Sequence, residues 1–323
     1  MTVLVTGGLG VNGAWVTRKL LGRGAAVVVV DRQTDRSLLG TPVAPTQVLQ
    51  ADIQDNDAMR RLLSEHKVQC IIHMAALISG LNDNPLAGFQ VNALGTVQLL
   101  DAALSAGVRR FVYTSSRAVY GNIKGEYAYP AYTPIAEDHC LAAEDVYDVT
   151  KLTGELMGRN FAKLGLEFVA LRFATIFGPG KLARHGPMGI YSRLIENAMA
   201  RVPLEIPRGG EERDDVLYVD DVAQACVLAA THPRPSYNAY NISRGVGTTL
   251  RDFAKEVTRQ LPGTDISIGP GLNYFGTGVN YSGVLDNSRA VKDLSFTPQF
   301  DLAAGIADYI AKMSELRLSP TVT

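Results

Sequence analysis

The sequence predicts an α/β protein: a Rossmann-like, doubly wound parallel sheet with a smaller C-terminal lobe. Three observations carry that expectation. Strand-like and helix-like segments alternate through the first 115 residues. A glycine-rich turn, TGGLGVNG (6–13), joins the first strand to the first helix. Four consecutive valines (27–30) mark a second strand buried on both faces, as strands of a parallel sheet are.

The elements follow in order. Residues 3–6 are a short apolar strand that runs into the glycine turn, and 11–22 form the first helix. Residues 25–31 form the valine-rich strand, which ends in Asp31. A third strand is expected at 47–51, a helix at 55–65, a fourth strand at 70–73 and a long helix at 85–105. A fifth strand, 110–114, ends in Ser115 and Ser116. A helix at 146–164 leads to a sixth strand at 167–173. Beyond it, GPGKLARHGPMG (178–189) and PGLNYFGTGVNYSG (270–283) read as loops. Helical segments at 189–201, 220–230 and 249–260 belong to the second lobe. The expected division is 1–175 for dinucleotide binding, with 176–323 as a substrate-binding lobe partly interleaved with it.

Composition narrows the function. With 31 Lys and Arg against 32 Asp and Glu, the net charge of −1 offers no strong field for nucleic acid or an anionic membrane. The three cysteines, Cys70, Cys140 and Cys226, are odd in number and widely spaced. They form neither a metal motif nor a disulfide framework, which suits a reducing compartment. There is no apolar leader and no span of about 20 apolar residues. A cytoplasmic protein with a small-molecule substrate is expected.

Gly7, Gly10 and Gly13 let the backbone turn tightly and approach a pyrophosphate, with the helix N-terminus offering unpaired N–H groups to its charge. Asp31, 18 residues past Gly13, can accept hydrogen bonds from the ribose hydroxyls of an adenosine. It would repel a 2′-phosphate, so NAD is favoured over NADP, although Arg32 beside it can accept that phosphate. The competing view makes this a structural turn with Asp31 capping a loop. Asp52 and Ile53 end the third strand at the edge where doubly wound sheets bind ligands, and Asp52 could equally cap the next helix. His73 ends the fourth strand with no partner cluster and is expected to be packed and hydrogen-bonded.

Tyr147 and Lys151 stand four apart in EDVYDVTKLTGE (144–155), one turn apart on a helix face. Alone, the pair fits an ordinary surface helix. With Ser115 and Ser116 at the cofactor edge, it gains a chemistry. A phenol titrates near pH ~10, too high for a base. A lysine cation and a positive nicotinamide would both favour phenolate. Serine can hold the substrate oxygen while the proton leaves and hydride passes to NAD.

Many ordered pieces carry a further resemblance: TGGLGVNG, VVVVDR, ADIQD, HMAA, VNALGTVQLLDAA, FVYTSSRAVYG, YDVTK, LRFATIFGPG, RDDVLYVDDVA and LSFTPQFDLAAGI. The chain resembles an extended short-chain dehydrogenase/reductase of the NAD-dependent epimerase/dehydratase family over nearly its whole length. The resemblance implies Tyr147 as base, Lys151 as its modulator and Ser116, four before the tyrosine of VYG, as the substrate contact. It implies that Gly7, Gly10, Val11, Asn12, Gly13, Asp31, Arg32, Asp52, Ile53, Met74, Ala75, Asn92, Thr114, Tyr147 and Lys151 surround NAD. It further implies a homodimer pairing the helices at 85–105 and 146–164.

The family holds epimerases, dehydratases, reductases and dehydrogenases, and fold does not choose among them. Dehydratases that the chain resembles carry an Asp-Glu pair where it has Arg117 and Ala118, so dehydration is disfavoured. Thr175 stands where many nucleotide-sugar members have asparagine, while Arg213 matches an arginine that clamps phosphate. From Arg172 to Arg213 there are seven Lys or Arg against four acids, with Lys181, Arg184 and His185 in the Gly/Pro stretch. An anionic substrate would suit this, with Ser116, Arg117, Thr175 and Arg213 as its contacts. Ordinary surface scatter would produce the same count. The tyrosines at 120, 127, 129 and 132 either wall the substrate or pack their loop. The expectation is an NAD-dependent oxidoreductase acting on a secondary alcohol of a sugar-like, anionic molecule. The alternatives are a nucleotide-sugar 4-epimerase and a non-catalytic dinucleotide-binding regulator.

Overall fold

A computed structural model describes residues 1–41, 46–276 and 278–322. Thr277, inside the stretch expected to be a loop at 270–283, lies outside the described residues. The chain runs β1 (Thr2–Thr6), α1 (Val11–Gly22), β2 (Ala26–Asp31), β3 (Gln47–Gln50), α2 (Asn56–Glu65) and β4 (Cys70–His73). A helical stretch follows: α3 (Pro85–Gly88), a π turn over Phe89–Leu94, and α4 (Gly95–Ser105). Then come β5 (Arg110–Ser116), α5 (Val146–Lys163) and β6 (Glu167–Phe173). The rest comprises β7 (Thr175–Phe177), α6 (Lys181–His185), α7 (Ile190–Ala200), β8 (Leu204–Ile206), β9 (Arg213–Tyr218), α8 (Val219–Thr231), β10 (Ala239–Ile242), β11 (Gly247–Thr249), α9 (Leu250–Gln260), β12 (Ile266–Ile268), α10 (Ser288–Leu294) and α11 (Leu302–Glu315).

Seven strands form one parallel sheet in the order β10-β6-β5-β4-β1-β2-β3. Side chains alternate between its faces and both faces are covered, which is why its central strands are mostly apolar. Val3, Val5, Val29 and Ile72 pack with Ala14 and Trp15 of α1 and with Val222 and Cys226 of α8. Leu4, Val28, Val30 and Ile71 face the other way, against Met59 and Leu62 of α2 and Leu99 and Leu100 of α4. Each such side chain contributes on the order of 1.5–3 kcal/mol by leaving water. The chain switches direction about β1, so a crevice opens at the C-terminal ends of β1 and β4, above Thr6 and His73. Ligands of such sheets bind there.

The C-terminal half is interleaved with the first: β10 returns to extend the main sheet beside β6. Three-stranded β11-β9-β7 and two-stranded β12-β8 sheets complete it. Arg110, wholly buried on β5, donates to the carbonyls of Ala229, Ala230 and Pro233 and so satisfies the C-terminal end of α8.

One expectation is corrected. The stretch 178–189 is not a plain loop but holds α6 and a 3₁₀ turn over Gly186–Gly189. Gly180 and Gly186, both at positive φ, bracket the short helix, and buried Leu182 pins it to the core. The helix expected over 85–105 is present and continuous, with a π turn over Phe89–Leu94 within it, where Asn92 is buried. Among the described residues, no helix is long and apolar enough to cross a membrane.

Candidate active site

The glycine turn has no room for side chains. Gly7 has φ +65°, and a Cβ there would lie 2.7 Å from the Ala75 amide nitrogen. A Cβ on Gly13 would lie 2.1 Å from the Gly7 carbonyl oxygen. Asp31 braces the turn: Leu9 N–H donates to Oδ2 at 2.9 Å, and Gln33 N–H to Oδ1 at 3.0 Å. It therefore does cap local backbone, and each oxygen keeps a further lone pair. Val11 is buried, and the Asn12 Oδ1 is buried without a partner. Exposed Arg32 lies 3.7 Å from Asp52, whose Oδ1 accepts from Gln54 N–H. The expected helix cap is Asp55 instead, which accepts from Ala58 N–H. Ile53 is buried against Gly95, and Met74 and Ala75 follow directly from β4 beside Gly7. His73 is packed as expected, bonded to Thr6 at 2.7 Å and Thr96 at 3.0 Å.

The catalytic candidates meet at the end of β5. Asp145 and Asp148 cap the start of α5 reciprocally. Its inner face carries Tyr147, Lys151 and Glu155, spaced four apart. Gly154 and Gly158 let the helix approach the sheet, since a Cβ on either would strike Tyr113 at 2.4 Å or Phe168 at 2.1 Å. The Tyr147 hydroxyl faces Ser116 closely enough for the serine to favour phenolate. The Lys151 ammonium donates to the Thr114 carbonyl at 2.7 Å and lies 5.6 Å from the Tyr147 ring. Thr114 in turn donates to the His73 carbonyl at 2.8 Å. Asn92 clasps Leu77 through both backbone groups, at 2.7 and 2.8 Å, and reaches Thr150 at 3.4 Å.

Electrostatics here differ from the sequence expectation. Burial pushes the Tyr147 phenol up to about 12, against the pull of Ser116. Burial also pulls Lys151 down to about 8. Asp148 adds to the rise in the phenol.

Two buried acids that brace the site escaped the sequence reading. Glu155, wholly buried, accepts from Ser115 at 2.6 Å and from both Nε and Nη2 of Arg172 at 2.9 and 2.7 Å. Its position four past Lys151 was the available signal. Asp214, wholly buried, pairs with Arg117 and accepts from the Thr175 hydroxyl at 2.7 Å. Arg117 and Thr175 thus do meet next to Ser116, but the arginine's charge is already compensated. Arg213, next to Asp214 on β9, is exposed, and its guanidinium lies 6.0 Å from the Tyr132 ring. The tyrosines mostly pack their segment. Tyr120 bonds Asn241 at 2.7 Å and Arg172 at 3.0 Å, Tyr127 lies against His139, Tyr132 is buried, and Tyr129 is exposed.

Residues 3–243 match the NAD dependent epimerase/dehydratase family. The chain belongs to that family. It is 33% identical over 317 residues to a UDP-glucose 4-epimerase of Mycolicibacterium smegmatis, covering 95% of this chain and 96% of that protein. Its fold superposes with a TM-score of 0.84 on the UDP-glucose 4-epimerase of Thermotoga maritima solved with UDP-glucose, at 26% identity, covering 98% and 99% of the two chains. MoeE5, solved with UDP-glucuronic acid and NAD, matches with a TM-score of 0.81 at 28% identity, covering 97% and 99%.

Proposed function

We propose that this enzyme oxidises and re-reduces a secondary alcohol of a nucleotide-linked sugar with NAD, acting as a 4-epimerase. The meeting of the Ser116 and Tyr147 hydroxyls beside Lys151, at the edge where the glycine turn opens, carries the reading. Relatives that are UDP-glucose 4-epimerases along their full length support the substrate class.

The cofactor fits the residues present. The side-chain-free turn at Gly7, Gly10 and Gly13, with Val11 and Asn12, would hold a pyrophosphate. Asp31, Arg32, Asp52 and Ile53 would flank the adenosine, and Met74, Ala75, Asn92 and Thr114 the path toward nicotinamide. Bound NAD supplies a reversible hydride acceptor and a cationic ring. Ser116 holds the alcohol oxygen. Tyr147, as phenolate, takes the hydroxyl proton and later returns it. Lys151 is fixed by the Thr114 carbonyl and keeps two donors for a ribose. Burial holds the phenol near 12 before cofactor binds, and a cationic nicotinamide beside it would favour phenolate. Residues 1–175 would carry these steps, with 176–323 shaping the substrate side.

A second reading is a net dehydrogenase for a sugar-like alcohol, which the same Ser116, Tyr147 and Lys151 arrangement would serve. Incubation with UDP-glucose, UDP-galactose and sugar acids separates the two. Interconversion of the UDP-sugars without NADH build-up supports the epimerase. Stoichiometric NADH from a sugar acid replaces it with the dehydrogenase. If neither occurs across a broad alcohol panel, the protein is a dinucleotide-binding regulator. Exposed Phe89, Leu94, Val149 and Leu156, on the adjoining faces of the α3–α4 stretch and α5, support a homodimer. The three free cysteines support a reducing, cytoplasmic setting.

A further inference from the structure

The five-residue helix α6 carries three basic side chains, Lys181, Arg184 and His185. At spacings of three and four, they share one face. Arg184 shows where that face lies. It donates to the Leu9 carbonyl within the glycine turn, and at 2.6 Å to Asp35 just past β2. Gly180 (φ +80°) seats the helix closely, because a Cβ there would lie 2.8 Å from Leu38. The basic face of α6 therefore covers the glycine turn from the second lobe.

Two groups on that face lack partners. The Lys181 ammonium is half-buried, and among the described residues no acceptor meets it. Burial alone pulls it down to about 8. The His185 Nδ1 is buried with no hydrogen bond, as is Asn12 Oδ1 at the start of α1. Burial keeps the imidazole neutral, near 3, so Nδ1 can carry or lack a proton as a ligand requires. Buried polar groups are normally paired, and a desolvated ammonium without an acceptor is costly. Arg184 is already spent on Asp35, so Lys181 supplies the uncompensated positive charge. The missing partner is an anion with several acceptor oxygens.

We infer that Lys181 and His185 form the second wall of a diphosphate site, gripping a diphosphate between α6 and the glycine turn while Arg184 latches the helix down. The diphosphate is that of the dinucleotide or that of a nucleotide-linked substrate. The two sources are separable by ligand.

Titration calorimetry with ADP-ribose, UDP and adenosine, on wild type, Lys181→Gln and Lys181→Arg, tests the site without requiring turnover. Loss of one charge-assisted contact predicts about 10- to 100-fold weaker binding of a diphosphate ligand by Lys181→Gln. Lys181→Arg should recover most of it, and adenosine should bind unchanged. Weakening for ADP-ribose assigns the cofactor's diphosphate; weakening for UDP alone assigns the substrate's. Unchanged binding of both, or an equal loss for adenosine, overturns the site. Because the wild-type epimerase assay does not involve this variant, failure of the 4-epimerase reading leaves the result interpretable.

Discussion

Replacing Glu155 by Gln tests how the catalytic helix is held. Glu155 and Arg172 are 0% and 1% exposed at the side chain, and two guanidinium N–H groups reach the carboxylate. The amide removes the negative charge but leaves the arginine buried, with the Tyr120 hydroxyl and the Glu137 carbonyl as neutral acceptors. Breaking a buried pair by removing one partner costs roughly 3–5 kcal/mol. Unfolding entropy of about 2.1 cal/mol/K per residue over 323 residues gives about 0.7 kcal/mol/K. The expected loss is therefore about 4–7 °C in Tm, read by circular dichroism and checked in urea. A double replacement, Glu155→Leu with Arg172→Met, should recover part of that loss because neither charge is left alone. A Glu155→Gln variant within about 1 kcal/mol of wild type would refute the view that this pair fixes α5 to β5 and β6.

Other outcomes are equally specific. Gly13→Ala should abolish NAD binding in calorimetry, since its methyl would meet the Gly7 carbonyl at 2.1 Å; wild-type affinity would contradict the cradle. His73 and His185 are held near 3 by burial, so the unfolded chain binds protons that the folded chain refuses, and stability falls as pH drops below about 6.5. Asp148 and Asp215, raised to about 6, keep protons in the folded state and oppose that loss between about 6 and 4. The histidine-driven loss is complete once the folded imidazoles protonate near 3, and His73→Gln should make the slope between about pH 5.5 and 4 less positive by about 1.4 kcal/mol per pH unit; an unchanged slope sinks this assignment. In sedimentation velocity, wild type should run as a dimer and Leu94→Glu with Leu156→Glu as a monomer, whereas a monomeric wild type would rule out the helix-paired dimer.

What could be read in the sequence follows from where the information lies. Apart from the edge strand β3, the strands of the main sheet through β6 bury both faces and sit between local turn signals, so their apolar runs were visible. The glycine turn was legible because each glycine answers a backbone demand. The short strands β7, β8, β11 and β12 have only three residues each, too few to show alternation. Glycines and proline around α6 hid a helix that depends on Leu182 finding the core. Glu155 and Asp214 look like surface acids in one dimension; only tertiary packing supplies Arg172 and Arg117 as their partners. The Tyr147–Lys151 spacing was evident, yet burial, which sets the direction of both titrations, is a property of the fold.

Tyr147→Phe tests the central claim most directly. Interconversion of UDP-glucose and UDP-galactose should fall by about 100- to 10,000-fold, while NAD affinity by calorimetry stays within about threefold. Turnover within tenfold of wild type, at intact NAD binding, would contradict Tyr147 as the group that moves the proton.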